Sequence, residues 1–355
     1  MNQPLKTLLK FLDRLNLDAA VIVSRSNKFY LTGYEYEEGY LLINASGIQL
    51  FVDSRFSIYA RQQVSDAEVI ESRQPAKDLN KHLRKSRHIG FDGSALLQKD
   101  FMVLTSGFSG KKFTFIDQHL LKMRSVKSTG EIDYIRKASS ISGTALQRLI
   151  GRLSSGWTEK QTAATLDLEL INSGADDISF DTVIAFDERA AYAHALPSNT
   201  VTLRDKRLIL CDFGALYRGY HSDETHTFFT GNPGRDEKKV YDAVLGAHNR
   251  AIDAVKPGMK ASDLDRVARG FLERQGYGKY FGHALGHGVG LDVHESPSIS
   301  YRSKDVLKCG MIFTIEPGVY IPDWGGVRIE SMVYLSDNGK EVLTGRQNPV
   351  LNLEV

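Results

Sequence analysis

Two stretches hold carboxylates where an ordinary hairpin has no use for them. LILCDFGALYRGYHSDETHTFF, residues 208–229, reads as two strands joined by a tight turn, with Asp212 on the first and Asp223 on the second. With the turn centred on Tyr217 and Arg218, the two aspartates stand directly opposite, Cβ atoms ~5 Å apart on one face. Like charges at that spacing repel unless a cation lies between them or one carboxyl is protonated. The competing reading is a different register that turns both to solvent. MIFTIEPGVYIPDWGGVRIESMVYL, residues 311–335, repeats the device: Glu316 and Glu330 are equidistant from Asp323 in its turn. Acidic oxygen donors from both hairpins, joined by a histidine, would make a site for two divalent cations.

The histidine comes from HALGHGVGLDVHESP, residues 283–297, which holds His283, His287 and His294. Gly286, Gly288 and Gly290 let backbone and ligand approach closely. His283 and His287 have the spacing of a helical zinc site, but the glycines disfavour a helix and no glutamate follows His283. A structural hydrogen-bonded loop is the rival reading. A further histidine, His194, precedes Pro197 in a loop after an expected strand. Tyr192 and Tyr220 are read as packing residues.

Elements that could position these groups are visible along the chain. Leu5, Leu8, Leu9, Leu12 and Leu15 follow helical spacing. AAVIVS (19–24), GYLLINASGIQLFVD (39–53) and RHIGFDGS (87–94) read as strands and turns, so the first part is a self-contained α/β domain. Ser128 with Glu131, and Thr158 with Gln161, have capping-box spacing at the starts of two helices. Further helices are expected over 238–255 and 261–276, each closed by glycine signals. The order helix, helix, strands occurs twice and suggests an internal duplication. The expected domains are 1–122 and 123–355.

Composition excludes several classes. A formal net charge of +2 over 355 residues gives no polyelectrolyte drive toward nucleic acid or membrane. No apolar run approaches a membrane span or a signal-peptide core. Cys211 and Cys309 make no disulfide framework; both are expected in the core, and a reducing, cytoplasmic setting fits.

The ordered set Asp212, Asp223, His287, Glu316 and Glu330, with GHGVGLDVHE, FTIEPGVY and VRIE around its later members, resembles the dinuclear metallopeptidases of the pita-bread fold, in their Xaa-Pro aminopeptidase and prolidase branch. The resemblance implies an α+β fold: a C-terminal pita-bread (creatinase/aminopeptidase-like) domain and a smaller N-terminal α/β (creatinase N-terminal-like) domain. It implies two divalent ions, Mn²⁺ first, with Co²⁺, Zn²⁺ or Fe²⁺ as alternatives. Asp212 would bind one ion, His287 and Glu316 the other, and Asp223 and Glu330 both. Glu316 would also move a proton, His294 would stabilise the oxyanion, His283 would line the cleft, and His194 would lie near the leaving proline. Arg328 would hold carboxylates by salt bridge. Two positions depart from the family pattern. Ser331 stands where an aspartate is expected and His226 where an arginine is usual; both bear on metal affinity and pH optimum more than on the reaction.

The implied activity is an Xaa-Pro aminopeptidase acting on peptides with proline second; the alternative is an Xaa-Pro dipeptidase. Similar enzymes are commonly homodimers. A methionine aminopeptidase would lack the long N-terminal domain, and a creatinase-like hydrolase does not need the five ligands. A non-catalytic peptide-binding relative would have lost ligands, and none is lost here.

Overall fold

The computed structural model describes residues 2–204, 208–345 and 350–351. The chain divides into two compact units, Met1–Arg124 and Ser125–Val355.

The first unit opens with α1 (Gln3–Arg14), capped by Asn2, whose Oδ1 accepts the Leu5 N–H at 3.0 Å. Its Leu5, Leu8 and Leu12 are buried. A six-stranded sheet follows: β1 (Ala19–Ile22), β2 (Tyr40–Asn44), β3 (Gly47–Val52), β4 (Glu68–Glu71), β5 (His88–Phe91) and β6 (Lys112–Phe115), in the order β4-β3-β2-β1-β5-β6. β1 sits centrally and is buried along its whole length. Ala20 and Ile22 join one core cluster, Ala19 and Val21 another, so helices must cover both faces. They are α1 with α2 (Arg25–Thr32), α3 (Ser54–Gln63), α4 (Pro75–His82), α5 (Gln98–Thr105) and α6 (Asp117–Ser125). Lys28 on α2 is fully buried, and its ammonium donates to the carbonyls of Glu37, Glu38 and Gly39, pinning the loop before β2.

In the second unit, α7 (Thr129–Ile150) starts where the Ser128 N–H and hydroxyl both donate to Glu131, at 2.8 and 2.7 Å. α8 (Glu159–Asn172) starts with the reciprocal Thr158–Gln161 box. The strands β7 (Asp177–Ile178), β8 (Val183–Phe186), β9 (Leu208–Phe213), β10 (Ala215–Tyr217), β11 (Tyr220–His221) and β12 (Glu224–Thr230) come next. Then α9 (Arg235–Ala254) and α10 (Ala261–Arg274) precede β13 (Gly286–Gly288), β14 (Glu295–Ile299), β15 (Ile312–Ile315), β16 (Gly318–Ile321), β17 (Gly325–Arg328), β18 (Ser331–Ser336), β19 (Gly339–Val342) and β20 (Val350–Leu351). The sheets are ordered β11-β10-β7, β20-β12-β9-β8, β14-β13-β15-β18-β19 and β16-β17.

β9 and β12 lie between two helical layers. Ile209, Cys211, Phe213 and Phe228 pack with α7 and α8, while Leu208, Leu210 and Phe229 pack with α9 and α10. Alternation then puts Asp212, Thr225 and Thr227 on the α9 side of the sheet, and Glu224 and His226 on the α7 side. The hairpin register differs from the expected one. Its turn is Arg218–Gly219, both at positive φ (52° and 80°), and Asp212 pairs with Thr225. Moving the turn by one residue shifts the pairing by two, so Asp223 becomes a diagonal neighbour of Asp212 on the same face. The second hairpin keeps the expected register, since Ile315 pairs with Ser331 and Gly318 with Arg328. Glu316 and Glu330 fall between these two ladders. Cys309 is not in the core. It lies partly exposed in the turn before β15, where Gly310 at φ 91° redirects the chain.

Lys28→Met would leave three loop carbonyls without their donor. The cost is about 2–4 kcal/mol. Urea unfolding of the full chain should show a correspondingly lower midpoint, and an unchanged midpoint would contradict the pinning role.

Candidate metal centre and substrate cavity

A cavity of about 620 Å³ opens in the second unit. Its lining includes every sequence-predicted site residue: His194, Asp212, Asp223, His283, His287, His294, Glu316, Arg328 and Glu330. Phe180, Val183, Leu196, Pro197 and Val293 form its apolar part.

The carboxylates converge because separate ladders end there. Asp223, His287 and Glu330 each bring a ligand-type atom within 4.8 Å of the others. His287 Nε2 lies 3.5 Å from Asp223 Oδ2 and 3.4 Å from Glu316 Oε1. His287 Nδ1 lies 3.2 Å from the Gly288 carbonyl, which can only accept, so the proton sits on Nδ1 and the Nε2 lone pair faces the carboxylates. Glu330 accepts from the Thr225 hydroxyl at 2.6 Å, and Glu316 from the Thr314 hydroxyl at 3.3 Å. Thr314 also accepts the His287 N–H at 3.1 Å. Gly286 is obligatory beside it, because a Cβ there would meet the Thr314 carbonyl oxygen at 2.0 Å.

Charge is unbalanced in this cavity. Burial, then repulsion from Glu330, Asp212 and Glu316, pushes the Asp223 carboxyl far above the usual carboxylate range. Burial, then Glu316 and Asp212, does the same to Glu330. Glu316 is pushed up to about 8, chiefly by burial. Burial draws His287 down to about 4, so the imidazole is neutral and brings no positive charge. Arg328 is the fixed cation: its Nη2 donates to Asp212 Oδ2 at 2.5 Å. Among the described residues, Asp212 Oδ1 has no hydrogen-bond partner, though it is buried.

Arg328 does more than hold Asp212. It donates to the Thr225 hydroxyl at 2.9 Å, to the Ala193 carbonyl at 3.1 Å and to the Tyr320 hydroxyl at 2.8 Å. Tyr320 in turn lies 3.0 Å from His283 Nε2, and His283 Nδ1 lies 2.8 Å from the Ala284 carbonyl. Both nitrogens of His283 are thus engaged, and burial lowers its pKa to about 4. His294 is exposed at the cavity, its ring centroid 4.2 Å from that of His287. His194 is exposed on the opposite loop. Tyr220 is a packing residue, buried with its hydroxyl on Glu131, whereas Tyr192 is 65 % exposed and packs little.

Sequence reasoning missed Tyr320, Thr225 and Thr314. Tyr320 had a signal within FTIEPGVY: Gly318 leaves the space its ring occupies, since a Cβ there would meet the Tyr320 hydroxyl at 2.5 Å. The two departures from the family pattern have local partners. Ser331 Oγ lies 3.1 Å from Nε2 of the buried His248 on α9. His226 Nε2 lies 2.8 Å from Glu224 Oε2 on the sheet face away from the carboxylates.

Comparison with known proteins shows the family. Metallopeptidase family M24 matches residues 133–337, and the creatinase/prolidase N-terminal domain matches residues 4–126. A curated Xaa-Pro dipeptidase of Pyrococcus horikoshii is 35 % identical over 353 residues, 99 % of each chain. The crystal structure of a prolidase from the same organism superposes with a TM-score of 0.93 at 34 % identity, covering 99 % of this chain and 100 % of the other. An X-Pro aminopeptidase structure from Thermotoga maritima superposes at 0.87 with 35 % identity, covering 96 % and 99 %. The expected α+β architecture, a pita-bread domain with a creatinase-type N-terminal domain, is therefore the fold of this chain. Among the described residues no helix is long and apolar enough to cross a membrane.

The raised carboxyls predict a pH effect. Above the ordinary carboxylate range, the folded, metal-free protein holds protons that the unfolded chain has released. A divalent cation must displace them, so it binds better as pH rises. The Tm increase produced by saturating Mn²⁺ over chelator should therefore grow between pH 6 and pH 8 in calorimetric scans. An increase that shrinks over that range would contradict the proton-holding cluster.

Proposed function

The chain belongs to metallopeptidase family M24 and is a hydrolase acting on Xaa-Pro bonds, and from that premise we propose that it is a two-metal Xaa-Pro dipeptidase. The observation that carries the reading is the convergence of Asp212, Asp223, His287, Glu316 and Glu330 in one cavity. The sequence alone favoured the aminopeptidase. The names of the Pyrococcus relatives support the dipeptidase better, and the Thermotoga structure keeps the aminopeptidase as the second reading.

The residues fit divalent cations. Asp212 Oδ1 is a buried acceptor without a donor, and His287 turns a lone pair toward carboxyls that repel one another. Asp212 would hold one ion, His287 and Glu316 the second, and Asp223 and Glu330 both. A carboxylate-dominated set with one imidazole suits Mn²⁺, with Co²⁺, Zn²⁺ or Fe²⁺ as alternatives. When bound, the ions would lower the pKa of a water and polarise the scissile carbonyl.

The chain's own groups do the rest. Glu316, steadied by Thr314, accepts a proton on its carboxylate and returns it to the leaving proline nitrogen. His294 donates to the carbonyl oxygen as negative charge grows there. His283, fixed by Tyr320 and Ala284, lines the cleft as a neutral ring. Arg328 orients Asp212 through its guanidinium. His194 lies against the proline. Proline has no N–H and a fixed φ, so a protease that pairs its substrate like a strand loses contacts there, whereas this site needs none of them. A homodimer, which rests on the resemblance, and a cytoplasmic setting, which rests on the sparse cysteines, complete the reading.

A panel of Ala-Pro, Ala-Pro-Ala, Ala-Ala and Met-Ala-Ala, with Mn²⁺ and then with chelator, tests it. The expected result is chelator-sensitive cleavage of Ala-Pro, well above Ala-Pro-Ala and with Ala-Ala and Met-Ala-Ala uncut. Preference for Ala-Pro-Ala would select the aminopeptidase, and cleavage of Met-Ala-Ala alone, or of nothing, would overturn both.

A further inference from the structure

The loop that carries His194 leaves β8 at Phe186, passes through the short 3₁₀ turn Asp187–Ala191, and returns toward α8 at Ser198. Its tip is open: Tyr192 is 65 % and Leu196 79 % exposed. A loop with so exposed a tip needs its ends held if one of its side chains is to meet substrate reproducibly. Both ends meet at one carboxylate. Glu159, the first residue of α8, has a fully buried side chain. Its Oε1 accepts the Phe186 N–H at 2.8 Å, and its Oε2 accepts the Ser198 N–H at 2.8 Å. Between those anchors Arg189 Nε donates to the same carboxylate at 2.9 and 3.1 Å. Arg189 then reaches across the loop, and its Nη2 donates to the Leu196 carbonyl at 2.5 Å. One ion pair therefore ties the entry, the middle and the exit of a single loop.

The far side of the loop rests on the strand pair that leads to Glu330. A Cβ at Gly325 would meet the Asp187 carbonyl oxygen at 2.7 Å, and one at Gly326 the Ala190 carbonyl oxygen at 2.0 Å. Arg328 donates to the Ala193 carbonyl, one residue before His194. The loop is thus backed by β17 and strapped by Glu159–Arg189. None of the mechanism above uses Glu159 or Arg189. Burying a carboxylate at this depth is costly without partners, and here its partners are the backbone and guanidinium of the loop itself.

We propose that Glu159 and Arg189 are a positioning pair for the Xaa-Pro reaction: they hold the 187–198 loop in the cavity wall so that His194 meets the proline side of the substrate. The proposal rests on the role given to His194 above. The anchoring itself does not depend on that role.

Arg189→Met is the informative variant, because the Arg189 side chain is 32 % exposed and its loss leaves Glu159 with two backbone donors. In wild-type background kcat/KM for Ala-Pro should fall ~10–100-fold, as displacement of a substrate-contacting group by about 1 Å can cost that much. In a His194→Ala background the same change should alter kcat/KM by less than about twofold, since coupled residues are not additive. Arg189→Lys should recover only part of the loss, because an ammonium lacks the fork that reaches both Glu159 and Leu196. Metal content should match wild type, and hydrogen exchange at 190–197 should quicken in Arg189→Met. Equal losses in both backgrounds would overturn the positioning role, and unchanged exchange at 190–197 would overturn the strap. Should wild type cleave no Xaa-Pro peptide, the function proposed above fails, and the exchange measurement still decides whether the strap exists.

Discussion

The cavity of the second unit answers to one electrostatic constraint. Asp212, Asp223, Glu316 and Glu330 share a cavity in which, among the described residues, Arg328 is the one fixed positive charge. Carboxylates at such range in a poorly hydrated space cannot all be ionised unless cations join them. Their pKa values record that: Asp223 and Glu330 are driven far up, and Glu316 to about 8. A fold built only for stability would place apolar side chains here. The chain instead keeps the acids and surrounds them with donors aimed at single oxygens, Thr225 on Glu330, Thr314 on Glu316 and Arg328 on Asp212.

The fold explains how the acids can be held so closely. β9 and β12 are covered on both faces by helices, so β9 reads as a nearly unbroken apolar run and every residue of β12 is buried, its polar ones included. Within that cover, alternation turns Asp212, Thr225 and Thr227 to one side. The second hairpin breaks from one sheet into another at the level of Glu316 and Glu330, freeing both side chains from the ladders. Gly286 brings β13 against Thr314 and so sets His287 beside Glu316. Arg328 links the acids outward, through Tyr320 to His283 and through Ala193 to the His194 loop. Candidate site groups on different segments are therefore linked through one side chain.

Much of this was legible in the sequence because it depends on local signals. The capping pairs Ser128–Glu131 and Thr158–Gln161 mark helix starts, and the glycines around His287 disfavour the helix a zinc motif needs, where the structure has a strand. The carboxylates stood out because acids are rare in apolar strand patterns. The turn of the first hairpin was misplaced by one residue, since Tyr217-Arg218 and Arg218-Gly219 both make plausible turns. The site survived that error because a two-residue shift in pairing preserves the face. What could not be read were contacts across long stretches of chain. Arg328 meets Asp212 over 116 residues, and Arg189 meets Glu159 over 30, and nothing in either segment names its partner. Cys309 was misread for a related reason: its neighbours look strand-like, and the turn at Gly310 is set by the start of β15.

The most direct measurement is the metal content of the chain after dialysis against Mn²⁺, for wild type and for Asp223→Asn, which keeps the shape of the side chain and removes its charge. The account predicts two ions per chain in wild type and fewer than one in the variant, because the proposed assignment has Asp223 hold both ions. Wild type that retains no metal above the dialysis buffer, or a variant that retains two ions, would contradict the claim that cations hold the buried acids together.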